Sequence, residues 1–460
     1  MRLRTALPSL LILLPSLAFG YGTRVATQDA EATARGNAFA ATADNPAAIY
    51  YNPAGLMQLD GFNIEGGFYG IWSDDGYKPL HGQEGASPTS AHEPFQAAPQ
   101  FFMSYHPANQ PFSFGLGVYM PFGSRTEWPG DSSFRQAGFA GNLIDIAINP
   151  TFAVQITRSL SLGLGVSANY IQAELESGLT AMPGDYFDIK GTGWAVGGDA
   201  GLLWKPTPRQ SVGFTYHSPM SAGLTGHTST GLNATERGEA EAGNAELAAG
   251  KQKLDAGIAQ IESLPIPTAE KNALIASANS QYQAQVAASG VPASGSFPTS
   301  YPTLGAKTTL KFPQDAILGY SFRPTPDWNI ETDVDWTDWS ELESLVVRQS
   351  NGTSVTVPFH WKDSFLYEVG ATHTIGLWSL SAGYIYSESS VPSSTFNPII
   401  PDSARNLFSV GVGRTFGHCS VNLSYELGIA QDRTIVNDSV ADGRYSFLSN
   451  AVSLSVGYHF

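Results

Sequence analysis

Three carboxylates alternate in Glu331-Thr-Asp333-Val-Asp335, and a period of two puts them on one face of a strand. Paired carboxylates can carry general acid–base work. Nothing near these three marks a reaction, so they read as the lining of a wet lumen. Ser and His are present, but no Gly-x-Ser-x-Gly or similar motif marks a nucleophile. No His-Glu-x-x-His pair and no cysteine cluster offers a metal set. Cys419 is the only cysteine, so an intramolecular disulfide cannot form. These patterns argue against an enzyme, a metal centre or a cofactor.

The first twenty residues, MRLRTALPSLLILLPSLAFG, read as a signal peptide. Arg2 and Arg4 form the basic start, Ala6 to Leu14 the apolar core, and Ala18-Phe19-Gly20 a small-x-small site that places cleavage before Tyr21. The apolar run is short and broken by Pro8 and Pro15, which disfavours a membrane anchor. No later stretch reaches the roughly 18 uninterrupted apolar residues of a spanning helix. Losing Arg2 and Arg4 takes the net charge from -16 to -18. That acidity argues against a nucleic-acid partner and against a basic surface held on anionic lipid.

The elements that would position any site are strands. Leu160, Leu162, Leu164, Val166, Ala168 and Tyr170 form one apolar stripe, with Ser161, Gly163, Gly165, Ser167 and Asn169 opposite. Similar alternation recurs from Phe62 to the C-terminus, where Val452, Leu454, Val456, Tyr458 and Phe460 share a face. Strands are predicted to begin near 62, 99, 111, 143, 160, 189, 209, 312, 328, 363, 377, 403, 418 and 448, fourteen in all. Connections alternate between long (72–98, 121–142, 176–188, 219–311, 340–362, 388–402, 431–447) and short. Long loops at one end and tight turns at the other describe an all-β, antiparallel transmembrane β-barrel. An even strand count brings both chain ends to the short-turn side, and closure leaves no unpaired edge in lipid. Phe460 then lies at the seam. A soluble all-β fold needs no such alternation of loop lengths.

Residues 21–60 do not alternate. They are rich in Ala and Gly and hold two Asn-Pro-Ala units: Asn45, Pro46 and Ala47, then Asn52, Pro53, Ala54 and Gly55. Asn caps a helix and Pro suits its first position. Short helices with small side chains predict an N-terminal helical hatch in the lumen, and residues 61–460 the barrel. Ile49, Tyr50, Tyr51, Leu56 and Met57 need something to pack on, which a flexible leader would not supply. Fourteen strands fall short of the 16 to 18 that leave a water-filled channel, so a plugged barrel has no wide pore. Within the long connection, about 233–292, Leu247, Leu254, Ile258 and Ile261 recur at helical spacing and Pro265 and Pro267 interrupt. This predicts an extracellular helical hairpin, either a lid over the barrel or a solvated insertion.

Taken together, these segments resemble the long-chain fatty acid and hydrocarbon transporter family of outer-membrane proteins, the FadL/TodX group. The resemblance rests on Asp44-Asn-Pro-Ala-Ala-Ile-Tyr-Tyr-Asn-Pro-Ala-Gly-Leu56, Pro121-Phe-Gly123, Ile148-Asn-Pro150 and Ser161-Leu-Gly-Leu-Gly165. It continues through Asp335-Trp-Thr-Asp-Trp-Ser340, Trp361-Lys-Asp363, Ser390-Val-Pro392, Pro401-Asp-Ser-Ala-Arg405 and the terminal Phe460. It implies a monomer in the outer membrane of a Gram-negative bacterium, among lipid and lipopolysaccharide. Hydrophobic small molecules would be caught outside, passed to a lumenal site and released sideways near a kink in the third strand. Pro121, Phe122 and Gly123 lie just past that strand. No cofactor or energy source is implied. The terminal aromatic implies recognition by the barrel-insertion machinery.

By the same resemblance Lys362 and Arg405 are candidates to hold a ligand carboxylate, against local pairing with Asp363 and Asp402. The fatty-acid members carry basic residues near the end of strand five, where this chain has Gln172, Glu174 and Glu176. That departure keeps uncharged hydrocarbons open as ligands. A general diffusion porin would instead show steady ion conductance. A barrel adhesin would lose partner binding, but not uptake, on deletion of 233–292.

Overall fold

The computed structural model describes residues 22–81, 85–92, 95–292 and 295–460. The signal-peptide reading of residues 1–20 lies outside them. Fourteen antiparallel strands close into a barrel. They are β1 (Gly61–Lys78), β2 (Gln96–His106), β3 in two pieces (Phe112–Tyr119 and Gly123–Glu127), β4 (Ala140–Thr157), β5 (Leu160–Ser177) and β6 (Tyr186–Thr207). β7 (Gln210–His217 and Met220–Gly231), β8 (Leu304–Phe312 and Asp315–Phe322), β9 (Trp328–Thr337) and β10 (Ser364–Ile375) follow. The wall ends with β11 (Trp378–Ser387), β12 (Arg405–Phe416), β13 (Cys419–Ala430) and β14 (Gly443–His459). β14 returns to β1 in continuous register from Asn63↔His459 to Lys78↔Arg444. Every strand of the wall thereby gains a neighbour on both sides, as lipid requires.

The Phe460 N–H donates to the Phe62 carbonyl (2.9 Å), and its ring packs 5.2 Å from that of Phe62. Tyr105, Trp204, Trp328, Trp378, Phe416, Tyr458 and Phe460 are exposed near the short-turn ends of their strands. They form the aromatic girdle of a lipid interface. No helix among the described residues is long and apolar enough to cross a membrane.

Two strand boundaries differ from the sequence reading. β7 and β8 both run past proline breaks, at Ser218-Pro219 and Pro313-Gln314, and pair again from Met220↔Phe312 to Thr228↔Leu304. A proline cannot donate to the ladder and interrupts it, so the alternation signal stopped at the break while the strand did not. The insertion accordingly spans 232–303. It holds two helices, α3 (Ala234–Ser263) and α4 (Thr268–Ala288), which follow the two short helices of the N-terminal segment. Asn233 and Glu236 form a reciprocal capping box at the start of the first (2.9 Å each way). No residue of either helix is buried. The 340–362 connection also carries a hairpin, Ser344–Gln349 with Ser354–Pro358, that extends the wall upward.

Residues 22–60 occupy the lumen through α1 (Ala30–Ala34), α2 (Ala48–Tyr51) and a 3-10 turn (Pro53–Gln58). Asn45 Oδ1 accepts from the Ala47 N–H (3.0 Å) and Asn52 Oδ1 from the Ala54 N–H (3.1 Å), so each Asn-Pro unit caps its own turn. The wall meets this segment with glycine. A Cβ on Gly370 would lie 2.0 Å from the Arg35 carbonyl oxygen, and one on Gly383 2.0 Å from the Gly36 nitrogen.

Glu331, Asp333 and Asp335 do share the lumen face, but that face is dry, with each residue about 1% exposed. Asp333 Oδ2 accepts from the N–H groups of Phe39 (3.0 Å) and Ala40 (2.9 Å). Glu331 Oε1 accepts from Ala41 (2.6 Å) and Thr42 (3.2 Å), and Arg35 lies 3.4 Å from its other oxygen. Arg24 grips both oxygens of Asp335 (2.8 and 2.6 Å) and reaches Asp315 on β8 (2.9 Å).

Truncating Arg24→Ala leaves two buried carboxylates without that cation. A loss of about 3–5 kcal/mol in unfolding free energy is expected, read by urea titration in lipid vesicles. Gly370→Val is expected to unseat the lumenal segment and raise ion conductance in planar bilayers above that of the parent chain.

Candidate functional site

β3 is broken where Met120, Pro121 and Phe122 interrupt its two pieces. β2 pairs with β1 from His106 back to Gln96, yet its ladder with β3 ends at Phe101↔Val118. Residues 96–100 therefore have no ladder partner on the β3 side, until the His92 N–H meets the Glu127 carbonyl beyond them (2.6 Å). Pro121, Phe122 and Gly123 thus sit inside strand three at this gap, not beyond its end. The N-terminal segment supplies the missing pairing from within. Val25 N–H donates to the Pro121 carbonyl and Gly123 N–H to the Thr23 carbonyl (2.8 Å each). Gln28 Nε2 donates to the Met120 carbonyl (2.7 Å), and Gln100 Nε2 to the Thr27 carbonyl (3.1 Å).

Above this break, toward the long loops, lies an apolar cavity of about 110 Å³. Thr23 and Ser124 border it on the break side; Leu143, Leu175, Ile189, Leu224 and Leu310 wall it. Leu342, Phe359, Trp361, Ile399 and Ile400 come from the loops. Trp339 packs on Trp361 (5.0 Å between ring centres), and Phe122 packs on Phe312 (4.9 Å) and Trp339 (6.3 Å). The break in β3 and the cavity wall thereby share one aromatic cluster. Apolar pockets fringed by few polar groups are the usual form of a small-molecule site.

The loops around the cavity are held by buried polar clasps. Arg135 pairs with Asp185, both about 1% exposed, and also donates to the Thr180 and Met182 carbonyls (2.7 Å each). Burial pushes the Asp185 carboxyl up, but hydrogen bonds from Thr180 and Arg135 outweigh it and hold the group below its ordinary range. Trp128 Nε1 donates to the Pro398 carbonyl (2.9 Å), joining two further loops.

The predicted basic residues fall elsewhere. Trp361 points into the cavity wall while Lys362, one residue on, is exposed and borders a separate open cleft with Arg433. Asp363 accepts from the Ser340 N–H (3.2 Å) and Trp336 Nε1 (3.3 Å), and no Lys362–Asp363 ion pair exists among the described residues. Arg405 is buried on the lumen side of β12, with long contacts to the Ser403 (3.4 Å) and Pro401 (3.5 Å) carbonyls, beside Asp75 in a small recess. It does not pair with the Asp402 carboxylate, whose Oδ2 accepts from the Ser390 (2.7 Å) and Val391 (3.2 Å) N–H groups. Gln172, Glu174 and Glu176 share the parity of lipid-side Leu164 and Val166, and Glu174 pairs with Lys190 on the neighbouring strand. The aromatic cluster of Phe122, Phe312, Trp339 and Trp361 went unrecognised. The Trp-rich segments 335–340 and 361–363 were its signal.

Residues 11–460 match the model of a family described as outer membrane protein transport protein (OMPP1/FadL/TodX). A putative outer membrane protein of Neisseria meningitidis serogroup B is 24% identical, over 95% of this chain and 94% of that protein. A long-chain fatty acid transport protein of Escherichia coli O6:H1 is 22% identical, over 91% and 89%. Among solved structures, a Pseudomonas aeruginosa FadL homologue superposes with a TM-score of 0.72 at 20% identity, covering 95% of this chain and 99% of that one. The Pseudomonas putida toluene transporter TodX gives 0.64 at 15% identity, covering 97% and 100%.

A depressed carboxyl stabilises the fold above its unfolded value of about 3.9 and loses that contribution as pH falls through the lower folded value. Loop order around the cavity is therefore expected to weaken below about pH 4, and Asp185→Asn to produce the same weakening at neutral pH. Limited proteolysis of the loops with an acid-active and a neutral protease reads both.

Proposed function

The chain belongs to the OMPP1/FadL/TodX family of outer membrane transport proteins, and on that premise we propose that it carries hydrophobic compounds passively across the outer membrane. The ligand is a long-chain fatty acid or a hydrocarbon. It is captured among the extracellular loops, held in the apolar cavity and released sideways through the barrel wall at the break in β3. No chemical step or energy source is involved.

The observation that carries this reading is the juxtaposition of cavity and gap. Thr23 and Ser124 border the cavity, and the same two segments pair across the break beside the unladdered stretch of β2. A straight path through the barrel meets the buried residues of the hatch, which supports a sideways exit over a general pore. An apolar solute gains in such a cavity what a water-filled channel cannot give it. Arg405, on the lumen face, remains the candidate to meet an acidic head group, and Lys362, outside the cavity, a candidate for first capture at the surface.

Closing the gap should stop transport. Gln96 Nε2 lies 3.5 Å from the Arg125 carbonyl across it, so Gln96→Cys with Arg125→Cys places two thiols there, in a chain whose natural cysteine lies in β13. Uptake of a radiolabelled hydrophobic solute by cells carrying the pair is expected to fall at least tenfold on oxidation and to return on reduction. Undiminished uptake with the cross-link verified by mass spectrometry would sink the lateral route.

A further inference from the structure

Below the apolar cavity, at the level of the hatch, lies a second and smaller cavity of about 40 Å³ with a mixed, more polar lining. Pro121 and Phe122 of the broken strand border it, so it adjoins the gap from the lumen side. Phe122 separates the two spaces, since its ring packs on Phe312 of the larger one. The lower wall is built from alternate residues of β4, β5 and β6, among them Asn149, Asn169 and Asp199.

The amide donors of this wall are spent, while the Tyr119 and Ser167 hydroxyls also border the cavity. Asn169 Nδ2 gives its protons to the two oxygens of Asp145 (2.9 and 3.1 Å). Asn149 Nδ2 is shared by the Tyr119 hydroxyl oxygen (2.9 Å) and Asp199 Oδ1 (2.7 Å), and its own Oδ1 accepts from Thr151 (3.0 Å). Two acceptors are left over. Asp199 Oδ2 and Asn169 Oδ1 are buried without any hydrogen-bond partner, on residues 6% and 1% exposed. Asn169 cannot turn its amide without aiming an oxygen at the Asp145 carboxylate, so its orphan stays an acceptor. A buried acceptor left unpaired is costly, and two lining one cavity call for a donor.

The local charge decides which donor. Arg24, the cation bordering the cavity, is already bonded to Asp315 and Asp335. His217 meets Asp315 through Nδ1 (2.8 Å) and the Tyr50 carbonyl through Nε2 (3.2 Å). Asp199 borders the cavity, and among the described residues neither it nor Asp145 behind Asn169 takes part in an ion pair. A carboxylate arriving here meets the Asp199 carboxyl, with Arg24 and the amide donors already engaged.

Resting on the transport reading above, we infer that this cavity receives the hydroxyl end of an otherwise apolar, uncharged ligand, an alkylphenol or alcohol, and turns away the carboxylate analogue. The ligand's hydrocarbon body occupies the floor of the apolar cavity above, the Phe122 ring between the two spaces turns aside, and the hydroxyl donates to Asp199 Oδ2 or Asn169 Oδ1.

The test uses the full mature chain in lipid nanodiscs, titrated with para-hexylphenol, hexylbenzene and para-hexylbenzoate, with empty nanodiscs subtracted. One hydrogen bond to a buried orphan acceptor predicts that the phenol binds about tenfold tighter than hexylbenzene, with the benzoate weakest. Asp199→Asn, which turns the orphan acceptor into a donor at constant shape, should shrink the phenol-to-hexylbenzene ratio toward one and improve the benzoate. The wild-type comparison stands by itself if that variant fails to fold. Equal binding of phenol and hexylbenzene, as when water alone fills the cavity, overturns the inference but leaves transport of hydrocarbons intact. Tightest binding of the benzoate overturns it as well. If no probe binds above empty nanodiscs, the transport reading falls and takes this inference with it.

Discussion

Glu331, Asp333 and Asp335 stand in a row on the lumen face of β9, and two arginines with four consecutive backbone N–H groups of the hatch are bonded to them. Much else in the molecule depends on that ladder. A short segment of small residues has little apolar surface with which to hold itself in a barrel. Charge-assisted hydrogen bonds in a water-poor lumen supply the grip instead. The acids need the hatch equally, because carboxylates buried on a membrane strand without partners would be strongly destabilising. Glycines of the facing strands then follow as a steric requirement, since backbone must approach backbone for those bonds to form.

The same segment governs the wall. Residues 23–28 are pinned at Arg24 to β8 and β9, and they also complete the pairing that β3 lacks at Met120 to Gly123. An unsatisfied strand edge facing lipid would not persist. The hatch therefore lets the gap exist by satisfying its backbone from inside. Cavity, gap and plug are not separate parts: Thr23 borders the cavity and Arg24 holds the hatch to the wall.

The strand rhythm was legible because period two survives any choice of residues. Its limits were equally physical. At Pro219 and Pro313 the alternation breaks while the strands continue, so the 219–311 connection expected from sequence exceeds the 232–303 of the structure. Alternation placed the three acids on one face, but which face is dry depends on what fills the lumen, and only Arg24 and Arg35 in the hatch hinted at that. Adjacency misled at the basic residues. In Trp361-Lys362 the tryptophan goes in and the lysine out. Arg405 and Asp402 are near in sequence, yet Asp402 is claimed by the backbone of 390–391. Outward parity likewise sets Glu174 and Glu176 on the lipid side of β5, although Glu174, paired with Lys190, also reaches the edge of the apolar cavity.

For the passive transport proposed above, cargo has to be held weakly enough to be released, and the cavity dimensions bear on that. Burying ~150 Å² of apolar ligand surface at ~25 cal/mol/Å² gives roughly 4 kcal/mol before the cost of immobilising the molecule. Such a gain favours capture from water over a bare crossing of the polar surface, yet it leaves dissociation fast. A deeper or longer pocket would bind more tightly and stall. The restricted volume of about 110 Å³, closed below by Phe122 and the hatch, therefore suits throughput better than storage. In that reading selectivity has to come from polar groups, at the cavity edge where Lys190, Lys307 and Lys311 border it or beyond Phe122, because hydrophobic burial alone separates ligands that differ by one methylene only weakly.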